Sequence, residues 1–218
     1  MKNIKAVIFD LDDTLVNRNL AFKNYSRSFI SEHFNDTQLP DKIDSMIEYM
    51  VLLDNNGHCN KYDFYGTLIE KWQMKDCTAE QFRNDYKNKF YMFTTPDTDM
   101  QVVLDYLKPK YKLGIISNGS SKAQNDKIDY IKVRNQFDSI IVSDDVGVQK
   151  PDKQIYMLSC VSLEVKPDEA VFVGDYYKKD IIGAKGAGLH AIWYPNASDK
   201  LHSYEYTIKR LSELLNIL

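Results

Sequence analysis

Lys5-Ala6-Val7-Ile8-Phe9-Asp10-Leu11-Asp12-Asp13-Thr14-Leu15 decides how this chain is read. An apolar run, Ala6 to Phe9, stops abruptly at carboxylates. Strands buried on both faces of a parallel sheet read as such continuous runs, and ligands of open α/β sheets bind beyond the strands' carboxyl ends. Asp10 and Asp12 therefore stand where a site belongs. Two carboxylates one residue apart repel unless a cation holds them together, and a hard divalent metal is the simplest candidate. The competing reading is a polar turn, because Asp bonds readily to its own backbone. The eleven residues alone are compatible with both.

From about residue 100, apolar strands alternate with amphipathic helices, the pattern of βαβ units around a parallel sheet. Strands are predicted at Lys112 to Ser117, Ser139 to Ser143, Ala170 to Gly174 and His190 to Tyr194. Met100, Val103, Leu104 and Leu107 recur at helical spacing between Asp99 and Lys108, and Pro109 ends the run. Ile155 and Leu158 mark a helix after Lys150-Pro151, while Leu211, Leu214, Leu215 and Leu218 predict a closing helix against the sheet. Residues 17–93 carry helical patterns only. Leu20, Tyr25 and Phe29 suggest one helix; Ile43, Met46, Ile47, Met50 and Val51 a second, after Pro40; Phe64, Leu68 and Trp72 a third. Thr78 and Gln81 form a capping-box pattern opening a fourth, through Phe82, Tyr86 and Phe90. The expected class is α/β, a parallel sheet interrupted by a small four-helix bundle.

With 218 residues, 44% of them hydrophobic, the chain can bury one large core or one core plus a helical module. Basic residues number 28 against 31 acidic, for a net charge of −3 and no basic run, which argues against a nucleic-acid polymer as partner. Cys59, Cys77 and Cys160 are odd in number and widely spread, so neither a disulfide framework nor a zinc site is indicated. No apolar stretch resembles a signal peptide or approaches the length of a membrane span. The expectation is a cytoplasmic protein, a monomer or small homo-oligomer with no membrane partner.

Four segments at or just beyond predicted strand ends carry polar groups that make sense together: Asp10-x-Asp12-x-Thr14, Ser117-Asn118-Gly119, Lys150-Pro151, and Gly174-Asp175 followed by Asp180. Each alone has an ordinary explanation. Asn-Gly is a common turn pair, a lysine is usually a surface lysine, and Gly-Asp can end a strand and cap a helix. At four strand ends in this order, those explanations become improbable jointly.

With Phe9-Asp-Leu-Asp-Asp-Thr-Leu15, Ile116-Ser-Asn-Gly119, the stretch Phe137 to Pro151, and Val173-Gly-Asp175 with Asp180-Ile-Ile-Gly-Ala184, nearly the whole chain resembles the haloacid-dehalogenase-like hydrolase superfamily. The subgroup is the one with a helical cap inserted after the first strand, subfamily IA with a C1 cap. The resemblance implies a Rossmann-like core with helices on both faces, residues 1–16 and 94–218, and a cap domain over 17–93. It also implies a phosphatase or nucleotidase-like enzyme in which Asp10 is the nucleophile of an aspartyl-phosphate intermediate and Asp12 the acid and base.

The physical logic agrees. A carboxylate attacks a phosphoryl group only if charge repulsion is relieved, which Mg²⁺ bridging carboxylate and phosphate does. Mg²⁺ takes six oxygens at roughly 2.1 Å and keeps several waters, so Asp10, the backbone oxygen of Asp12 and Asp175 suffice as protein ligands. Ser117, Asn118 and Lys150 are the expected phosphate-binding residues, Lys150 serving catalysis as well. Mg²⁺ and Lys150 set three positive charges against four aspartates, a sum that favours a proton on Asp12. Thr14 is expected to orient Asp12 and cap its turn, and Asp180 to ligate through water or hold Lys150.

The expected substrate is a small phosphorylated metabolite, with a nucleoside monophosphate the leading choice. Alternatives are a phosphomutase or sugar-phosphate phosphatase of the same superfamily, or a non-catalytic module that binds a metabolite or metal. Haloacid dehalogenases of the superfamily lack an acid two residues after the nucleophile, so Asp12 argues against dehalogenation. Tyr176 and Lys179 depart from the small polar residue and the Asn frequent in relatives. In the insert, Tyr62, Phe64, Tyr65 and Trp72 read either as a stacking surface or, by burial statistics, as core. Arg18, Lys23 and Arg27 read as contacts for a second anionic group or as a solvated helix face. The bundle would close over the site and exclude water.

Overall fold

The computed structural model describes residues 3–34, 40–195 and 204–218. In chain order its main elements are β1 (Ala6–Phe9), α1 (Arg18–His33), α2 (Pro40–Asp54), α3 (Lys61–Trp72), α4 (Ala79–Lys89), α5 (Met100–Leu107), β2 (Lys112–Ser117), α6 (Ser121–Tyr130), β3 (Ser139–Val142), α7 (Ser143–Val146), α8 (Lys153–Ser162), β4 (Ala170–Gly174), α9 (Gly183–Gly186) and β5 (His190–Trp193). A π-helical turn, Tyr177–Ile182, precedes α9, and a 3₁₀ helix spans Leu211–Asn216. The chain divides into two compact units, Met1–Asn17 with Pro96–Leu218, and Arg18–Thr95.

In the first unit the five strands are all parallel in the order β3-β2-β1-β4-β5. The chain runs outward from β1 through β2 to β3, then returns to β4 on β1's other side. The reversal opens a crevice beyond the carboxyl ends of β1 and β4, where doubly wound sheets bind ligands. Alternate residues of each strand feed opposite cores. Val7, Phe9, Leu113, Ile115 and Val173 pack with Val103 and Leu104 of α5, Ile128 of α6, and Leu211 and Leu214. Ala6, Ile8, Ile116 and Phe172 pack on the other face with Ile155, Tyr156 and Cys160 of α8 and Ala184 of α9. Helices cover both faces, as expected of a Rossmann-like sheet.

Some details differ from the sequence reading. β5 ends at Trp193, one residue before the expected Tyr194. Ser143 opens α7 instead of ending β3. The closing segment is a 3₁₀ helix, not the α-helix its leucines suggested. The Glu213 N–H bonds the Arg210 carbonyl and the Ile217 N–H the Leu214 carbonyl, both at 3.1 Å, and the three-residue repeat still buries Leu211 and Leu214 together.

Among the described residues the second unit holds four α-helices around an aromatic core of Phe22, Tyr25, Phe29, Phe64, Tyr65, Phe82 and Phe90. α1 packs on α2 and α3 on α4. The capping box is present: Thr78 Oγ1 accepts from the Gln81 N–H at 3.2 Å, and Gln81 Oε1 accepts from the Thr78 N–H at 2.9 Å. Leu20 is exposed, and the buried face of α1 runs through Ala21, Phe22, Tyr25 and Phe29. Among the described residues no helix is long and apolar enough to cross a membrane, and all three cysteines are free thiols.

Candidate active site

Asp10 is the first residue beyond β1, and its N–H donates to the Val173 carbonyl at 2.9 Å, so it still rides on β4. Asp175 follows β4 directly. The two carboxylates thus share the crevice because their strands are neighbours in register, Phe9 facing Val173. Asp180 joins them from the π-helical turn: one carboxylate oxygen from each of Asp10, Asp175 and Asp180 lies within 4.8 Å of the other two. Gly174 makes this approach possible, since a Cβ there would lie 2.5 Å from the Asp180 carboxyl group.

Lys150 enters from the loop before α8. Its ammonium, 3% exposed, lies 2.6 Å from Asp10 Oδ1 and 2.8 Å from Asp180 Oδ1. Buried charges persist only when paired. Burial acts to lower the lysine pKa, but Asp10 and Asp180 outweigh it and hold the group above the ordinary lysine range. Asp180 also accepts the Tyr176 N–H at 2.9 Å, so it braces Lys150 and the β4 loop, one of the two roles foreseen for it.

Three carboxylates around one ammonium leave the crevice short of positive charge. Burial, opposed by Lys150 and reinforced by Asp180, raises Asp10 to about 7; burial with Asp10, Asp180 and Asp13 raises Asp175 to about 9. Such elevation marks an anionic pocket that a cation would relieve. All-oxygen donors suit a hard divalent ion.

Asp12 lies outside this cluster. Its carboxylate faces Lys127 of α6, whose ammonium is 2.7 Å from both Asp12 oxygens. Gln124 Nε2 donates to Asp12 Oδ2 at 3.3 Å. Each of the two carboxylates thus has a lysine of its own, Lys150 for Asp10 and Lys127 for Asp12. Lys127 adds a positive charge beside Asp12 that the sequence reading did not count. Thr14 does not orient Asp12 as expected: its hydroxyl is buried with no hydrogen-bond partner among the described residues. The turn is closed by main chain: the Leu11 carbonyl accepts the N–H groups of Leu15 and Val16, both at 3.0 Å, and that of Thr14 at 3.4 Å.

Ser117 ends β2 and is buried. Asn118 uses its carboxamide on Lys150's main chain, Nδ2 donating to the carbonyl at 2.9 Å and Oδ1 accepting the N–H at 2.8 Å. This side chain braces the lysine rather than presenting a phosphate donor. The Gly119 N–H donates to Ser143 Oγ at 3.0 Å. Sequence reasoning passed over Lys127 and Gln124. Their spacing, i and i+3, puts them on one helix face, but a lysine there ordinarily signals solvent.

In the helical unit, Phe64 and Tyr65 are core, which removes them as a stacking surface; Tyr62 is exposed. Arg18 is neither ligand contact nor solvated face. It is buried, bonding Asp54 at 2.8 and 3.3 Å, and Asp54 also takes Lys61 at 2.5 Å. Lys23 is exposed, and Arg27 pairs with Asp44 at the surface. Tyr176 is exposed with the Lys179 ammonium 4.9 Å from its ring centroid, whereas Tyr177 packs edge-on against Trp193.

Residues 7–194 match the family model described as haloacid dehalogenase-like hydrolase. The chain belongs to this family. The glyceraldehyde 3-phosphate phosphatase of Pyrococcus furiosus is 28% identical, covering 100% of this chain and 94% of that protein. The pyrimidine 5'-nucleotidase YjjG of Escherichia coli is also 28% identical, over 86% of this chain and 84% of the relative. Among solved structures, the HAD phosphatase from Thermococcus onnurineus superposes with a TM-score of 0.66 at 27% identity, covering 98% of this chain and 97% of that one. This hydrolase thus shares its length and its sheet with relatives named as phosphatases.

Proposed function

We propose that the protein is a Mg²⁺-dependent phosphomonoester hydrolase acting through an aspartyl-phosphate on Asp10. The observation that carries this reading is the convergence of the Asp10, Asp175 and Asp180 carboxylates within 4.8 Å, with the Lys150 ammonium 2.6 Å from Asp10. Asp10, the Asp12 main-chain oxygen and Asp175 would hold the metal, which when bound neutralises phosphate oxygens and lets a carboxylate approach phosphorus. Lys150 opposes the rise in the Asp10 pKa and holds the carboxylate in place for in-line attack, and its own charge faces the phosphoryl oxygens. Ser117 and the main chain after β2 supply donors to those oxygens. Asp12 gives a proton to the departing alcohol and then takes one from water. The substrate class is a small phosphorylated metabolite, the chemistry common to the triose phosphate and nucleotide in the relatives' names. The helical unit Arg18–Thr95 is assigned the role of cap and substrate selector. Free thiols at Cys59, Cys77 and Cys160 fit a reducing cytoplasm.

Hydrolysis of p-nitrophenyl phosphate tests the reading. Turnover should require Mg²⁺ and vanish in Asp10→Asn; full activity in that variant removes Asp10 as nucleophile. A panel of phosphorylated metabolites then defines the substrate.

A further inference from the structure

Lys127 is a buried cation for which the proposed chemistry has no use so far. It lies in the last turn of α6, is 5% exposed, and belongs to a residue type almost never buried without a partner that demands it. Its ammonium spans both oxygens of Asp12 at 2.7 Å. One turn earlier on the same face, Gln124 is 6% exposed. Its Nε2 donates to Asp12 at 3.3 Å and to the Asn118 carbonyl at 3.2 Å, and its Oε1 accepts from Lys127 at 3.3 Å. Gly119, at φ +147°, leaves the room for this, because a Cβ there would collide with the Gln124 amide nitrogen. Asp12 is thereby tied to the end of β2 and to α6.

We infer that Lys127 and Gln124 are positioning residues for Asp12, holding its carboxyl group in the direction that proton transfer requires. The inference rests on the phosphomonoesterase reading and extends it to α6. In the first half-reaction the bond between Asp10 Oδ and phosphorus forms as the ester P–O bond breaks, and the Asp12 proton passes to the leaving oxygen. In the second, a water oxygen bonds phosphorus, the Asp10 bond to phosphorus breaks, and the water's proton goes to Asp12. One carboxyl group serving two oxygens needs a fixed aim; a misplacement of about 1 Å costs on the order of 10²-fold in rate.

The test compares kcat/KM, which covers the steps through phosphoryl transfer to Asp10, for two leaving groups. p-Nitrophenyl phosphate releases an acidic phenol that departs without a proton, whereas an alkyl phosphate releases an alkoxide that needs one. Lys127→Met keeps side-chain length and removes the charge. It should lower kcat/KM at least about tenfold for the best alkyl phosphate and less than about threefold for the phenyl ester, since an aimed general acid contributes roughly 10²–10⁴-fold. Gln124→Leu should show the same selectivity with a smaller loss, and decides the matter if circular dichroism shows Lys127→Met unfolded. Equal losses on both substrates, no loss on either, or a wild type that hydrolyses only the phenyl ester overturns the positioning role. A wild type that hydrolyses neither ester with Mg²⁺ present refutes the phosphomonoesterase reading itself, and this inference falls with it.

Discussion

Lys150→Met isolates the electrostatics of the crevice. The substitution keeps a similar apolar stem but removes an ammonium that is 2.6 Å from Asp10 and 2.8 Å from Asp180, whose side chains are 12% and 1% exposed. Breaking a buried ion pair by deleting one partner costs about 3–5 kcal/mol, because the other charge stays buried without compensation. For a chain of this size each kcal/mol moves the melting temperature by about 2–4 °C, giving an expected drop of roughly 6–20 °C at pH 8.5. The drop should depend on pH with a definite sign. Asp10 titrates near 7 in the folded protein against 3.8 ordinarily, so its contribution to stability is present at low pH and lost as pH rises through about 7. Without Lys150, which lowers that pKa, Asp10 stays protonated to higher pH and goes on losing stability above about 7, where the wild type levels off. The difference between wild type and variant should therefore be small near pH 5.5 and grow toward pH 8.5. Thermal melts followed by circular dichroism, in chelator so that no metal substitutes for the ammonium, measure it. A difference that is constant across this range, or below about 2 °C at pH 8.5, refutes the claim that Lys150 compensates buried carboxylates.

Other substitutions probe the remaining parts. Asp10→Asn should form no phosphoenzyme on mixing with p-nitrophenyl phosphate, read by acid quench and mass spectrometry; a phosphorylated variant would move the nucleophile elsewhere. Asp175→Asn should abolish the rise in melting temperature that millimolar Mg²⁺ gives the wild type, a rise of order 2.7 kcal/mol in stability at a hundredfold excess over Kd. Gly174→Ala places a methyl group 2.5 Å from the Asp180 carboxyl and should cost activity through displaced Lys150 while leaving the helical content intact. Asp54→Ala strands the buried Arg18 and the half-buried Lys61, and should destabilise the helical unit by about 3–5 kcal/mol in urea melts without a pH dependence above pH 5.

The sheet and most of the side chains gathered at its crevice were legible from the amino-acid order. Parallel strands buried on both faces need uninterrupted apolar residues, so Ala6–Phe9, Lys112–Ser117 and Ala170–Gly174 announce themselves, and the carboxylates that stop the first and the last of these mark the crevice. Asp10 and Asp175 were found in this way, because strand ends are local events with a local signature, whereas Lys150 and Asp180 lie further along the loops. Helices gave less away. The spacing of Leu211 to Leu218 fits a 3₁₀ helix as well as an α-helix, and Leu20 sits among residues whose periodicity does not say which side faces inward.

The partners of the charged residues belong to tertiary structure alone. Lys127 and Arg18 look like solvated cations in the sequence, yet each is buried, because a helix packs so that its ammonium or guanidinium meets a carboxylate 115 or 36 residues away. Asp12 and Thr14 show the converse: two residues apart, they were expected to act together, but Asp12 is held from α6 and the Thr14 hydroxyl is not engaged. Residue type and spacing determine which groups can reach a strand end. Which of them share a hydrogen bond there depends on strand order and helix rotation, set by the burial of the two apolar faces of the sheet.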